Sequence, residues 1–329
     1  MRFRYVVLLS LGAALMLILS SCEGGGSAMG ALSIVPKGDY YMIEGSNPAQ
    51  KYNSPIFKDL ADEVRKFEDE SDDWEDDLSD MGVDNPRANS AKLSASSEDY
   101  NENVTFIGGP FRADDLEDYY EDEKGWTDWD EDERKGRKYY TGKLNTSEMA
   151  ALLERGGVFT GKIDTIDDAI DVIVEGDKKL VDEKKFKESR NLVDFGASEY
   201  MLQWDNIDGT ISSMKSMFSQ VDDDDDIKDA WDDLRAQGVS VYWSNTLRVV
   251  TKFKFRKDKH VETLFDFFKK DMDEVFEKLG PALVTGMFGS DANTRDLDEL
   301  ADKARVNRRG TILEITFEMN WKDLEEIID

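Results

Sequence analysis

The sequence holds one cysteine, Cys22, and one histidine, His260, in 329 residues. A single cysteine forms no disulfide within the chain, so stability must come from apolar cores rather than covalent staples. A single histidine excludes zinc sites with two imidazoles and the iron triad of two histidines and a carboxylate. A Ser-His-Asp triad would need His260 as its base, and no Gly-x-Ser-x-Gly elbow exists to present the serine. His260 follows Asp258 in the first turn of an expected helix, a position that reads as exposed surface. Basic residues are scarce beside acidic ones, 42 against 72, for a formal charge of −30. Such a surface repels phosphate backbones, which argues against nucleic acid as a partner. It suits cations, basic partners or a saline habitat. Apolar residues still make up 40% of the chain and aromatics 11%, enough to build real cores.

Long apolar runs are also missing: the one at the N-terminus is shorter than the about 20 residues an untilted spanning helix needs. It extends from Tyr5 to Leu19, follows Arg2 and Arg4, and ends at Leu19-Ser20-Ser21-Cys22. A charged start, a short apolar core and small residues before a cleavage point make a secretory signal peptide. The last four residues resemble the lipobox of bacterial lipoproteins: Leu, two small residues, then the cysteine whose thiol receives a diacylglyceryl group. The resemblance covers residues 1–22. It implies a signal peptide over 1–21, a lipidated Cys22, and a flexible tether through residue 33, rich in Gly and Ser. It implies an exported protein held on a bacterial membrane by lipid. Glu23 stands where Asp would resemble an inner-membrane retention signal, which favours the outer membrane. Without Arg2 and Arg4 the net charge becomes −32.

Beyond the tether the hydrophobic pattern predicts two tandem, structurally similar units of α+β class. Each is a largely antiparallel sheet with helices on one face, over residues 34–176 and 197–329, joined by a helical connector, 177–196. In the first, Asp39–Glu44 reads as a strand and Ser54-Pro55 opens a helix through an N-cap and a proline at its first position. Met81–Ser97 reads as loop, Val104–Ile107, Arg137–Thr141 and Val158–Ile163 as strands, and Asp114–Glu123 and the segment after Thr165 as helices. In the second, Glu199–Trp204, Val239–Trp243, Leu247–Phe255 and Leu313–Met319 read as strands. Helices are expected at Ile211–Phe218, Ile227–Gln237, after Asp258, and at the C-terminus. Val104–Ile107 should hold the sheet position of Leu247–Phe255, and Val158–Ile163 that of Thr311–Met319. The helices Thr165–Val174 and Trp321–Ile328 should correspond in the same way.

Several motifs carry possible chemistry. Gly156 to Lys162 has P-loop spacing, but Ile163 replaces the Ser or Thr that would bind magnesium. The flanks also fail, since Met149–Glu154 reads as helix and Val158–Ile163 as strand. Asp222, Asp224, Asp226 and Asp233 match positions 1, 3, 5 and 12 of a calcium loop. Ile227 occupies the position where the turn requires Gly, and the last position is Asp rather than Glu. Acids before a helix are equally explained by capping and the helix dipole. Asp128–Asp132 fails the same test at Glu133. Trp126 and Trp129 beside acids suit either a stacked sugar or the anchoring of an acidic segment to the core. Arg248, Lys252, Lys254 and Arg256 share one strand face, suited to an anion or to the chain's own acids.

Together these features predict a lipid-anchored cell-envelope protein with a non-enzymatic binding, adhesion or scaffold role. Its partners would be the membrane, through the lipid on Cys22, and an envelope protein or a cation; no cofactor is expected. The alternatives are a hydrolase of envelope or extracellular carbohydrate using a carboxylate pair, and a calcium-binding envelope protein.

Overall fold

The computed structural model describes residues 28–63, 65–83, 91–97, 103–205, 207–218, 224–288 and 301–328. Cys22 and the expected signal peptide lie outside them. An N-terminal unit takes residues 28–53 and 66–188, and a C-terminal unit takes residues 54–65 and 189–328. The chain begins with α1 (Ala28–Leu32), β1 (Tyr40–Ser46), α2 (Pro48–Tyr52), α3 (Pro55–Glu63) and α4 (Arg65–Asp80). It continues through β2 (Lys92–Ser97), β3 (Val104–Gly108), α5 (Ala113–Asp122), β4 (Trp126–Arg134) and β5 (Arg137–Leu144). Next come β6 (Ser147–Glu154), β7 (Gly157–Lys162), α6 (Ile163–Glu175) and α7 (Lys184–Ser189). The C-terminal unit adds β8 (Glu199–Gln203), α8 (Asp208–Phe218), α9 (Asp225–Asp232), β9 (Leu234–Trp243) and β10 (Thr246–Phe255). It ends with α10 (Asp258–Phe288), interrupted at Asp271, then β11 (Ala304–Arg309), β12 (Ile312–Asn320) and α11 (Trp321–Ile328).

The fold is α+β, and the two units share one topology. The N-terminal strands lie in the order β1-β2-β3-β7-β6-β5-β4, the C-terminal ones in the order β8-β9-β10-β12-β11. Adjacent strands pair antiparallel in both. Taken from β1 and β8, the third position is held by β3 and β10 and the fourth by β7 and β12. These are the correspondences the hydrophobic pattern predicts. Helices α6 and α11 follow the fourth-position strand in each unit, and α5 and α10 follow the third. The β4–β5 hairpin is an addition to the N-terminal unit. A strand with one apolar face and the helix that follows it close the same core by the same route, twice.

The units are interleaved rather than strictly tandem. Helix α3 starts as its sequence predicts, with Ser54 Oγ accepting the Phe57 N–H at 3.2 Å. Its Ile56 N–H donates to the Ser244 carbonyl at 3.3 Å, and the Phe57 ring stands edge-on to Trp243, centroids 5.4 Å apart. Ile56, Phe57 and Leu60 thereby enter the C-terminal core, although the chain on both sides of α3 belongs to the N-terminal unit. The expected boundary, with all of 34–176 in one unit, is corrected on that ground. The expected connector divides too, with residues 177–188 in one unit and 189–196 in the other.

Four strands are hidden from periodicity. Strand β6, expected as helix, buries Ala150, Ala151 and Leu152 in succession, and a strand covered on both faces has no period-two pattern. Strand β2, expected as loop, buries Leu93, Ala95 and Ser97 in alternation, but small residues give that alternation little contrast. Strand β11 is largely exposed. Strand β4 is a run of acids, and pairing accounts for it. It is outermost in its sheet and joins β5 through Lys135-Gly136, both with positive φ, the geometry of a two-residue hairpin. In that register the Glu131 and Glu133 amides face the open edge. Each is capped by the preceding side chain, Asp130 Oδ1 at 2.9 Å and Asp132 Oδ1 at 2.7 Å. The carboxylates occupy donors that another strand would otherwise use.

Candidate functional site

A cleft of about 300 Å³ opens in the C-terminal unit between α9 and the start of α10. It is lined by Asp226 and Asp229 of α9 and by Lys259, His260, Glu262, Thr263 and Asp266 of α10. Amphipathicity places these residues. Ile227, Ala230 and Trp231 turn one face of α9 into the core, and Val261, Leu264, Phe267 and Phe268 do the same for α10. From the opposite faces, four exposed carboxylates (Asp226, Asp229, Glu262 and Asp266) and one lysine (Lys259) line the cleft. Asp224 caps α9, its Oδ1 accepting the Asp226 N–H at 2.7 Å.

At the other end of α9, Asp233 is 5% exposed and joins the two helices. Its carbonyl accepts the Arg256 N–H at 3.1 Å, and its Oδ2 accepts the Lys257 N–H at 2.8 Å. His260 Nδ1 lies 3.1 Å from the same Oδ2, a close contact without hydrogen-bond geometry. His260 is therefore 9% exposed, which corrects its expected place on the surface. A first-turn position leaves exposure open; here a buried carboxylate 27 residues upstream draws the ring inward.

The calcium-loop reading is corrected by the same geometry. Asp222 lies outside the described residues. Asp224 and Asp226 stand at the N-terminus of α9 and Asp233 at its C-terminus, separated by helix where a coordinating loop would have to turn. Without Gly at position 227, Ile227 packs into the core and the helix forms. Among the described residues, Asp171, Glu175 and Asp177 do bring carboxylates within 4.8 Å of one another. Cations of the chain already serve two of them. Arg134 grips Asp171 through Nε at 3.1 Å and Nη2 at 2.9 Å, and Asp167 through Nη1 at 2.9 Å. Lys135 Nζ reaches Asp171 at 2.9 Å and Glu175 at 2.8 Å. Hydrogen bonds from Arg134 and then Lys135 hold the Asp171 carboxyl down at about 2. Carboxyls raised above the ordinary range, chiefly by burial, are Glu44, Asp167 and Asp168, none of them in the cleft.

The depressed carboxyl sets an acid-stability prediction. A group ionised more readily when folded contributes stability above its unfolded pKa and loses it as pH falls through the folded value. The contribution of Asp171 is thus complete above about pH 4 and gone near pH 2. Asp171→Asn should be less stable than the parent at pH 7 and equal to it near pH 2. Chemical-denaturation midpoints along a pH series measure this, and a constant gap down to pH 2 contradicts it.

The other singled-out residues are occupied by their own fold. Trp126 is buried 4.6 Å from Tyr120, and Trp129 stacks on Tyr140 at 5.4 Å and Tyr120 at 5.9 Å. This is the anchoring of an acidic hairpin. On the basic strand face, Arg248 lies over Tyr242 at 4.2 Å, Lys252 meets Glu314 at 3.6 Å, and Arg256 meets Asp233 at 3.9 Å. Gly156 closes the β6–β7 hairpin with Arg155, both at positive φ, and Gly157 to Lys162 is strand β7. Sequence reasoning passed over the cleft because its two sides lie about 30 residues apart. The one signal available was that the acids of α9 recur at i and i+3 on its polar face.

No family model and no curated protein matches the chain. Among solved structures, crystal form I of a protein called TP0453 is similar with a TM-score of 0.43 and 11% identity, covering 94% of this chain and 98% of that one. Crystal form III of TP0453 gives a TM-score of 0.43 at 10% identity, over 90% of this chain and 96% of that one. Likeness at this level says nothing about what either protein binds.

Proposed function

We propose that the protein is a lipid-anchored component of a bacterial cell envelope, held on the outer rather than the inner membrane, and that its body binds rather than catalyses. The observation that carries this reading is Leu19-Ser20-Ser21-Cys22, which places the chain's only cysteine directly after an export segment. Diacylglyceryl modification of Cys22, with a further acyl chain on its amine, anchors a polypeptide firmly where one acyl chain would not. The tether expected through residue 33 is corrected at its end, because Ala28–Leu32 form α1 and bury Ala28, Ala31 and Leu32. A spacer of residues 23–27 would remain between the lipid and the folded units. The open cleft with exposed carboxylates supports a binding role.

Cys22→Ser should abolish incorporation of a palmitate label and leave an uncleaved or soluble chain. Mass spectrometry of the parent should find the mature protein starting at a lipidated Cys22. A mature chain carrying an unmodified Cys22 overturns the proposal.

A further inference from the structure

We propose that the outer edge of β11 takes an extended segment of an acidic protein partner as an added strand, one that alternates carboxylates with apolar side chains. This edge depends neither on lipid anchoring nor on the cleft.

Strand β11 is outermost in the C-terminal sheet and pairs with β12 through all its residues without a bulge. It contains no proline. Gly310, at φ 54°, and Thr311 close a two-residue hairpin between Arg309 and Ile312. That register turns the Arg305, Asn307 and Arg309 amides toward β12, and the Val306 and Arg308 amides toward the open edge. On β4 the corresponding amides are capped by Asp130 and Asp132. On β11 neither is capped among the described residues, and no described strand covers them. An open row of donors and acceptors is what an incoming strand completes.

The side chains define the partner. Directly paired residues share a face of the sheet. Arg305, Asn307 and Arg309 therefore stand on the face of Lys252 and Lys254, across Thr316, Glu314 and Ile312 of β12. Arg305 and Arg309 are exposed, and neither makes an ion pair among the described residues. A strand laid beside them meets cations with every second side chain, which calls for carboxylates. Its other side chains meet Val306 and Phe265, both partly buried at the rim of the core, which call for apolar groups. Arg308, on that side, is already matched to Glu262 at 2.9 Å. A neutral strand leaves the cations unmatched, and a second copy of β11 sets arginine against arginine. In a chain of net charge −30 the basic edge selects its partner by sign, and the same arginines keep it from pairing with itself.

The probe is a fluorescent acetyl-Glu-Val-Glu-Val-Glu-Val-Glu amide, read by anisotropy against the mature chain in nonionic detergent. It should bind saturably, and its counterpart with Lys in place of Glu should not. Hydrogen exchange should show the Val306 and Arg308 amides protected in the complex. Arg305→Ala with Arg309→Ala, both at exposed positions, should weaken binding at least tenfold. Arg308→Pro removes an edge amide without touching the ladder to β12. It should bind at least tenfold more weakly than Arg308→Ala, which keeps that amide. Failure of the Glu peptide to bind overturns the proposal. Equal affinity of Arg308→Pro and Arg308→Ala also overturns it, by reducing the contact to unspecific charge. Self-association of the parent that Arg308→Pro abolishes does the same, by making a second copy the occupant.

Discussion

Replacing Trp231 by alanine is expected to lower the stability of the C-terminal unit by about 4 kcal/mol. The side chain is fully buried on the inner face of α9. It stacks on Phe218 with centroids 5.3 Å apart, meets Phe253 edge-on at 5.3 Å, and lies 5.7 Å from Phe255. It therefore links α8, α9 and β10, and removing it opens a cavity bounded by three elements that cannot all close in. Its Nε1 is buried with no hydrogen-bond partner among the described residues. Trp231→Phe should consequently cost much less than alanine, because it keeps an aromatic ring and removes an unsatisfied donor. Denaturant unfolding, with hydrogen exchange of the α9 amides to assign the loss to this unit, measures both. A loss under 1 kcal/mol for Trp231→Ala would mean that this aromatic cluster does not hold the unit together.

In the N-terminal unit one tightly enclosed position is a glycine. Gly157 begins β7 and pairs with Gly108 on β3. A methyl group at 157 would press on the carbonyl oxygen of Ile107 and come within 2.5 Å of the Phe106 ring. Neither can yield cheaply: one is backbone within a strand ladder, and the other is a buried ring 4.6 Å from Phe159. Gly157→Ala should destabilise the N-terminal unit by about 2 kcal/mol, in the range of overpacked cores. Gly209, on α8 with open space where its Cβ would stand, is the control. Gly209→Ala should stay within about 0.5 kcal/mol of the parent. Equal thermal midpoints for the two variants would show that β3 and β7 can separate at no cost.

Local sequence was enough wherever an element carried its own contrast. The alternation from Leu247 to Phe255 marked β10, and Ser54-Pro55 marked the start of α3. Gly176, at φ 73°, marked the end of α6. The order of these elements was enough to predict two similar units, because the same succession of half-apolar strands and amphipathic helices reaches one core by one route. The lipobox-like Leu19-Ser20-Ser21-Cys22 is likewise read from adjacent residues alone.

What required the tertiary structure was every feature made by residues far apart in the chain. Strand β4 is a strand because β5 pairs with it and its own aspartates cap its open edge, and no hydrophobic period records that. Helix α3 belongs to the C-terminal unit because Phe57 meets Trp243, nearly 190 residues on. His260 is buried where its ring meets Asp233, 27 residues upstream, a contact that no local pattern records. Periodicity reports which face of a segment is apolar. Which partner covers that face, and which buried charge pulls a polar ring inward, is decided only when the elements pack.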